Sequence, residues 1–195
     1  QGAFVNRTLE TAPWPDFAGN PIREGDTIRH PTDGVTAVVF GVPADTPRVV
    51  CKRLPPNATD ADFERHKALV LDYVDQMRQS GIAVVDTEVR AVPSEGRAGG
   101  LTGYIIQPVV PKACLGDQVL AAADPAEGHP LIQTVVDKVA GFTTDRRGVD
   151  AQITNWAWVD GSHQYIDVTT PFVLDERGEV ALDLEIFLKA APALA

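Results

Sequence analysis

Asp150, Asn155 and Asp167 lie in the stretch VDAQITNWAWVDGSHQYIDVTTP, which runs from Val149 to Pro171. The amide follows the first acid by five residues, and the second acid follows the amide by twelve. Ile, Trp, Tyr and Val surround all three. An acid among apolar residues is costly unless it is paired, hydrogen-bonded or bound to a cation. The stretch is therefore either a costly turn or a site.

Other reactive residue types offer less. Lys52 lies in RVVCKRL, where strand alternation puts it on the face of Val50 and would allow an inward ammonium. Cys51 and Cys114 are far apart in apolar or mixed runs, so neither a disulfide framework nor a Cys–His nucleophile is expected. His30, His66, His129 and His163 have no ligand-like spacing with either cysteine, which argues against zinc. The chain has no G-x-S-x-G sequence, so an esterase-type serine is not expected.

Composition sets the class. A 195-residue chain with 44% hydrophobic and 23% charged residues suits one globular domain or two small lobes. The formal net charge of −10 speaks against bulk nucleic-acid binding, which needs cationic surface. One nucleotide is another matter, since a lysine and a metal ion can meet its charge locally. No window approaches a membrane span of about 18 apolar residues. The opening QGAFVNRTLETAPWPDF has no basic-then-apolar signal pattern, and without Met it is expected to begin inside a longer product. The cysteine usage fits a reducing cytoplasm.

Positioning elements follow from periodicity. Residues 1–24 read as an extended arm packing through Trp14 and Phe17. DTIRHP and VTAVVFGV read as strands joined through Thr32-Asp33-Gly34, and Arg48–Leu54 as a third that Pro55 and Pro56 stop. After Asn57-Ala58-Thr59-Asp60 comes a helix whose apolar face is expected at Phe63, Ala68, Leu69, Leu71, Val74 and Met77, with Gly81 just past its end. IAVVDTEVRAVPS and LTGYIIQPVVP read as strands around the turn Gly96–Gly100. CLGDQVLAAA and PLIQTVVDKVAGFTTD read as helices, the latter with Leu131, Val135, Val139 and Phe142 near one face. WAWV and QYIDV form a hairpin turned by Asp160-Gly161, and FVLDERGEVAL another with Arg177-Gly178 at its tip. The apolar tail DLEIFLKAAPALA reads as a final helix. The class is α+β: an arm at 1–24, a five-strand antiparallel sheet with one helix at 25–111, and a mainly helical part with a hairpin site at 112–195.

This order resembles the protein-kinase-like two-lobe fold, in its aminoglycoside-phosphotransferase and small-molecule-kinase branch, with a reduced C-terminal lobe. Lys52 stands where kinases hold nucleotide phosphates, and Glu64 or Asp72 where an acid orients that lysine. Asp150 and Asn155 match the catalytic-loop pattern D-x-x-x-x-N in segment 148–171, and Asp167 the second metal-binding acid across a hairpin. The resemblance implies Asp150 as catalytic base, Asn155 and Asp167 as magnesium ligands, and Lys52 and Glu64 as ATP-binding residues. The pattern also departs. Gly148 replaces the usual His, Gln152 stands where many kinases have Lys or His, and Asp167-Val168-Thr169 replaces D-F-G. The nucleotide-covering loop has only Gly34 and Gly41, no A-P-E occurs, and 28 residues follow Asp167.

Three functions follow. The first is an ATP-dependent phosphotransferase acting on a hydroxyl of a small molecule or of a peptide Ser or Thr. The second is a pseudokinase that binds a protein partner, one that completes the C-terminal lobe, through a tail bearing Ile186, Phe187, Leu188 and Leu194. The third is an unrelated α+β binding domain in which Asp150 and Asn155 cap a turn and Lys52 is solvated.

Overall fold

A computed structural model describes residues 14–15, 21–22, 28–33, 38–42, 48–57, 59–93, 101–124 and 127–183. Phe17, the turns at Gly34 and Gly96–Gly100, and the tail expected to be helical lie outside these residues. The described chain is α+β, with antiparallel sheets and three α-helices. Its backbone divides into two compact units, residues 1–65, 87–109 and 185–195 in the first and 66–86 and 110–184 in the second.

In the first unit, β1 (Trp14–Pro15) pairs with β2 (Pro21–Ile22). Five longer strands form one antiparallel sheet: β3 (Ile28–Asp33), β4 (Val38–Val42), β5 (Val49–Asn57), β6 (Glu88–Pro93) and β7 (Leu101–Pro108). Its spatial order is β3-β4-β5-β7-β6. Every residue of β7 from Thr102 to Gln107 is buried. That is the pattern of a central strand covered on both faces.

Pro55 and Pro56 do not stop the third strand, which runs on to Asn57. Pairing with β4 ends at Val38↔Arg53, so beyond that point β5 has a described neighbour only in β7. The register shifts between Arg53 and Pro56. An edge-like segment with a bulge is where a strand tolerates residues lacking an N–H.

α1 (Asp60–Gln79) connects β5 to β6. Thr59 caps it, accepting the Asp62 N–H at 3.1 Å and donating its hydroxyl to the Asp62 carboxylate at 2.7 Å. Gly81, at φ +82°, ends it. Ile82 N–H reaches the Met77 carbonyl at 3.0 Å, and Gly81 N–H reaches that of Arg78 at 3.0 Å. These are the paired bonds of a Schellman motif, which needs a left-handed residue. The buried face is Phe63, His66, Val70, Tyr73, Val74 and Met77. Ala68, expected on that face, is exposed, while Leu69 and Leu71 are half-buried. His66 and Tyr73 fill the i, i+3/i+4 spacing instead, because packing selects a stripe and not every apolar residue.

IAVVDTEVRAVPS is not one strand. Only Glu88–Pro93 joins the sheet, whereas residues 82–86 belong to the second unit. There Tyr165 N–H bonds the Ala83 carbonyl at 2.7 Å, and Val85 N–H bonds the Tyr165 carbonyl at 3.2 Å.

The second unit also holds α2 (Gly116–Ala122) and α3 (Pro130–Phe142). His129 caps α3 by accepting the Leu131 N–H at 3.1 Å, and Pro130 sits at the first turn, where a missing N–H costs nothing. Leu131, Val135 and Phe142 are buried, with Val139 half-buried. β8 (Arg147–Gly148) pairs with β11 (Phe172–Val173), and β9 (Trp156–Val159) with β10 (Ser162–Tyr165). Asp160 at φ 49° and Gly161 at φ 78° turn that hairpin. Two positive φ values make the turn type I′, which matches strand twist. The strand ends at Tyr165, two residues before Asp167. Past β11, Asp175 organises a tight turn with Gly178 at φ +81°.

Candidate functional site

The stretch that holds the three polar residues is built between α3 and β11. Beyond Phe142, Thr144 N–H bonds the Arg147 carbonyl at 2.8 Å and closes a turn into β8. Arg147 then grips what precedes it. Its Nε donates to the Phe142 carbonyl at 3.1 Å, and its guanidinium lies 4.6 Å from the centre of the Phe142 ring. Another guanidinium nitrogen donates to Gln76 of α1 at 3.3 Å. Gly148 pairs with Phe172, and its carbonyl accepts the Tyr73 hydroxyl at 2.8 Å.

Asp150 follows, half-buried. One carboxylate oxygen accepts the Gln152 N–H at 2.9 Å, and the other accepts the Gln152 side-chain amide at 3.1 Å. A single turn of 3-10 helix, Ile153–Asn155, leads into β9. Asn155 is half-buried, and its carbonyl accepts Ile166 N–H at 2.9 Å. That bond continues the β9–β10 ladder and sets Asn155 across from the chain entering Asp167. Asp167 is half-buried, and its Oδ1 accepts both the N–H and the hydroxyl of Thr169, at 3.2 and 2.7 Å.

Two buried tyrosines flank the loop. Tyr73 and Tyr165 are 0% and 2% exposed. Burial pushes the Tyr73 phenol well above its ordinary range, with a backbone hydrogen bond at Phe172 opposing and the charges of Asp150 and Asp167 adding to the rise. For Tyr165 burial again leads, then Tyr73, Asp167 and Asp150, against a backbone hydrogen bond at Asp150. Both phenols therefore stay protonated.

Lys52 and Glu64 belong to the first unit. Lys52 pairs with Val39 and Ile105 and is buried, so the solvated reading of this lysine fails. It shares a face with Ile105 and hence with Gly103, two residues along β7. A Cβ on Gly103 would meet Phe63 of α1 at 3.2 Å and Leu54 at 3.3 Å. Lys52 thus lies on the sheet face that Phe63 meets. Glu64 is exposed on α1. Asp72, the other acid considered on this helix, is exposed and accepts the Gln76 side-chain amide at 2.7 Å.

A family described only as of unknown function (DUF6206) matches residues 40–195. The chain belongs to the DUF6206 family. The segment shared with the family contains Lys52, Glu64, Asp150, Asn155 and Asp167. Comparison with curated proteins returns no match.

Several residues of the family segment matter here without having been singled out by spacing. Tyr73 sits at helical spacing from Val70 and Met77, but the stripe alone did not choose it over Ala68, whereas Tyr165 follows the period of its hairpin. Arg147 had no signal, because its partners come from α1 and α3. Gly116 had none either: it is buried at the start of α2, against the carbonyls of Ile153 and Trp156.

Proposed function

We propose that this protein is an ATP- and magnesium-dependent phosphotransferase of kinase-like two-lobe arrangement, acting on a hydroxyl of a small molecule or of a peptide Ser or Thr. The observation that carries the reading is the placement of the acids on one folded loop: Gly148, two residues before Asp150, is held by the Tyr73 hydroxyl at 2.8 Å, and Asn155 bonds Ile166, next to Asp167, at 2.9 Å. Acids given only turn-capping work need no common neighbourhood. Lys52, buried on the sheet face that Phe63 meets, supports the same reading, since a nucleotide-holding lysine must point inward.

The donor set fits magnesium. Asn155 and Asp167 offer an amide oxygen and a carboxylate, and magnesium commonly takes one or two carboxylates with waters and substrate phosphates. Magnesium bound there would neutralise phosphate charge as it moves towards the leaving oxygen. Asp150 would orient the acceptor hydroxyl and take its proton. The acceptor oxygen would bond the terminal phosphorus as the bond to the bridging oxygen breaks and ADP departs. Lys52, oriented by Glu64, would hold the nucleotide phosphates.

Thermal unfolding with and without Mg-ATP, on the parent and on Asp167→Ala, tests this. Ligand at 100 times its dissociation constant stabilises by roughly 2.7 kcal/mol, worth about 5–10 °C at this chain length. The expected result is a magnesium-dependent shift that Asp167→Ala abolishes. No shift at millimolar nucleotide would sink the reading. A second reading, a pseudokinase that serves as a partner-binding subunit, is favoured by one feature. Oxygens of Asp150 and Asp167 already serve their own turns through Gln152 and Thr169. Nucleotide binding without hydroxyl phosphorylation would select it.

A further inference from the structure

We propose that Tyr73 and Tyr165 are positioning residues for Asp150, a role that rests on the phosphotransferase reading. Two hydroxyls meet the backbone of this one loop. Tyr73 donates to the carbonyl two residues before the acid, at 2.8 Å. The Tyr165 oxygen accepts a backbone N–H at Asp150 itself. A buried hydroxyl without a partner is costly, so both find their partners where the loop passes.

Each ring is fixed by its own element. Tyr73 meets Phe142 edge-on with centroids 5.8 Å apart. Tyr165 meets Trp156 edge-on at 5.0 Å, and its main chain is bonded to Ala83 and Val85. A tyrosine has two side-chain torsions, and burial of the ring leaves its hydroxyl one place. The rings therefore act as struts from α1 and the hairpin to the loop. With the backbone held at Gly148 and Asp150, the carboxylate settles on Gln152 in one orientation. Asp167 lies two residues beyond Tyr165 on the same chain, so one strut serves both acids.

Tyr73→Phe and Tyr165→Phe, each confirmed folded, separate this from packing. Amide exchange of Gln152, measured by NMR, reports where the Asp150 carboxylate sits, and that of Val85 reports the neighbouring frame. Either variant is expected to speed Gln152 exchange roughly tenfold, the size of one lost hydrogen bond, and to leave Val85 unchanged. Turnover of Mg-ATP is expected to fall about tenfold with nucleotide KM within about twofold, as for an interaction made in the transition state. Unchanged Gln152 exchange in both variants, or a rise in KM alone, overturns the proposal. A parent that neither binds nor hydrolyses Mg-ATP removes the phosphotransferase reading and the catalytic role with it. Exchange at Gln152 then still decides whether the hydroxyls hold the loop.

Discussion

The carbonyl oxygen of Ile153 occupies the space that a side chain on Gly116 would need. Trp156 adds a second carbonyl, 2.9 Å from where that Cβ would stand. Ile153 lies between Asp150 and Asn155, so the start of α2 and the polar loop fit only while residue 116 is glycine. Both obstacles are backbone and cannot rotate away.

Gly116→Ala should therefore destabilise the protein by about 2 kcal/mol or more, in the range of overpacked cores. Gly141→Ala is the control. Nothing lies within 4 Å of a Cβ there, and glycine-to-alanine in a helix gains about 0.5–1 kcal/mol. Denaturant midpoints of the two variants should move in opposite directions. A Gly116→Ala midpoint equal to the parent's would refute the close approach.

Acid should weaken the fold through two histidines. Burial holds the His66 imidazole below its ordinary pKa, with Asp183 opposing. His163 is lowered by burial first and then by Lys138, with a backbone hydrogen bond at Gly81 opposing. Its Nε2 also accepts the Ala83 N–H at 3.2 Å, which a protonated ring could not do. The unfolded chain therefore binds protons that the folded one refuses. The stability from both groups is fully present above their ordinary value of 6.5 and is lost as pH falls below it through the folded values. The denaturant midpoint is expected to drop between pH 7.5 and 5. A midpoint that is flat or rises in that window contradicts the assignment.

The two thiols should differ. Cys51 is 1% exposed and paired within the sheet, and burial pushes its thiol up to about 12. The thiolate is the reactive form. Cys114 is half-buried in a short turn before α2. A thiol reagent at pH 8 should modify one cysteine in the native protein, at Cys114, and two in denaturant. Rapid native labelling at Cys51 would show that the sheet opens locally at β5.

Local chemistry wrote much of this structure into the sequence. Thr59 and Gly81 bound α1 because capping needs only neighbouring residues, and Asp160-Gly161 turns its hairpin because glycine and aspartate tolerate positive φ. The five strands around α1 follow from alternation and turn residues. The spacing of Asp150, Asn155 and Asp167 was likewise visible as a question. What it could not reveal was set by partners far along the chain. Whether Pro55 and Pro56 end a strand depends on where β4 stops pairing. Whether Ala68 or Tyr73 is buried depends on what packs against α1, and residues 82–86 leave the sheet because Tyr165 offers them another ladder. Strand alternation put Lys52 with Val50, but only the pairing with Ile105 gave that face to Phe63. Above all, the Tyr73 hydroxyl of α1 holds Gly148 beside Asp150, and contacts of that kind exist only once the chain has folded.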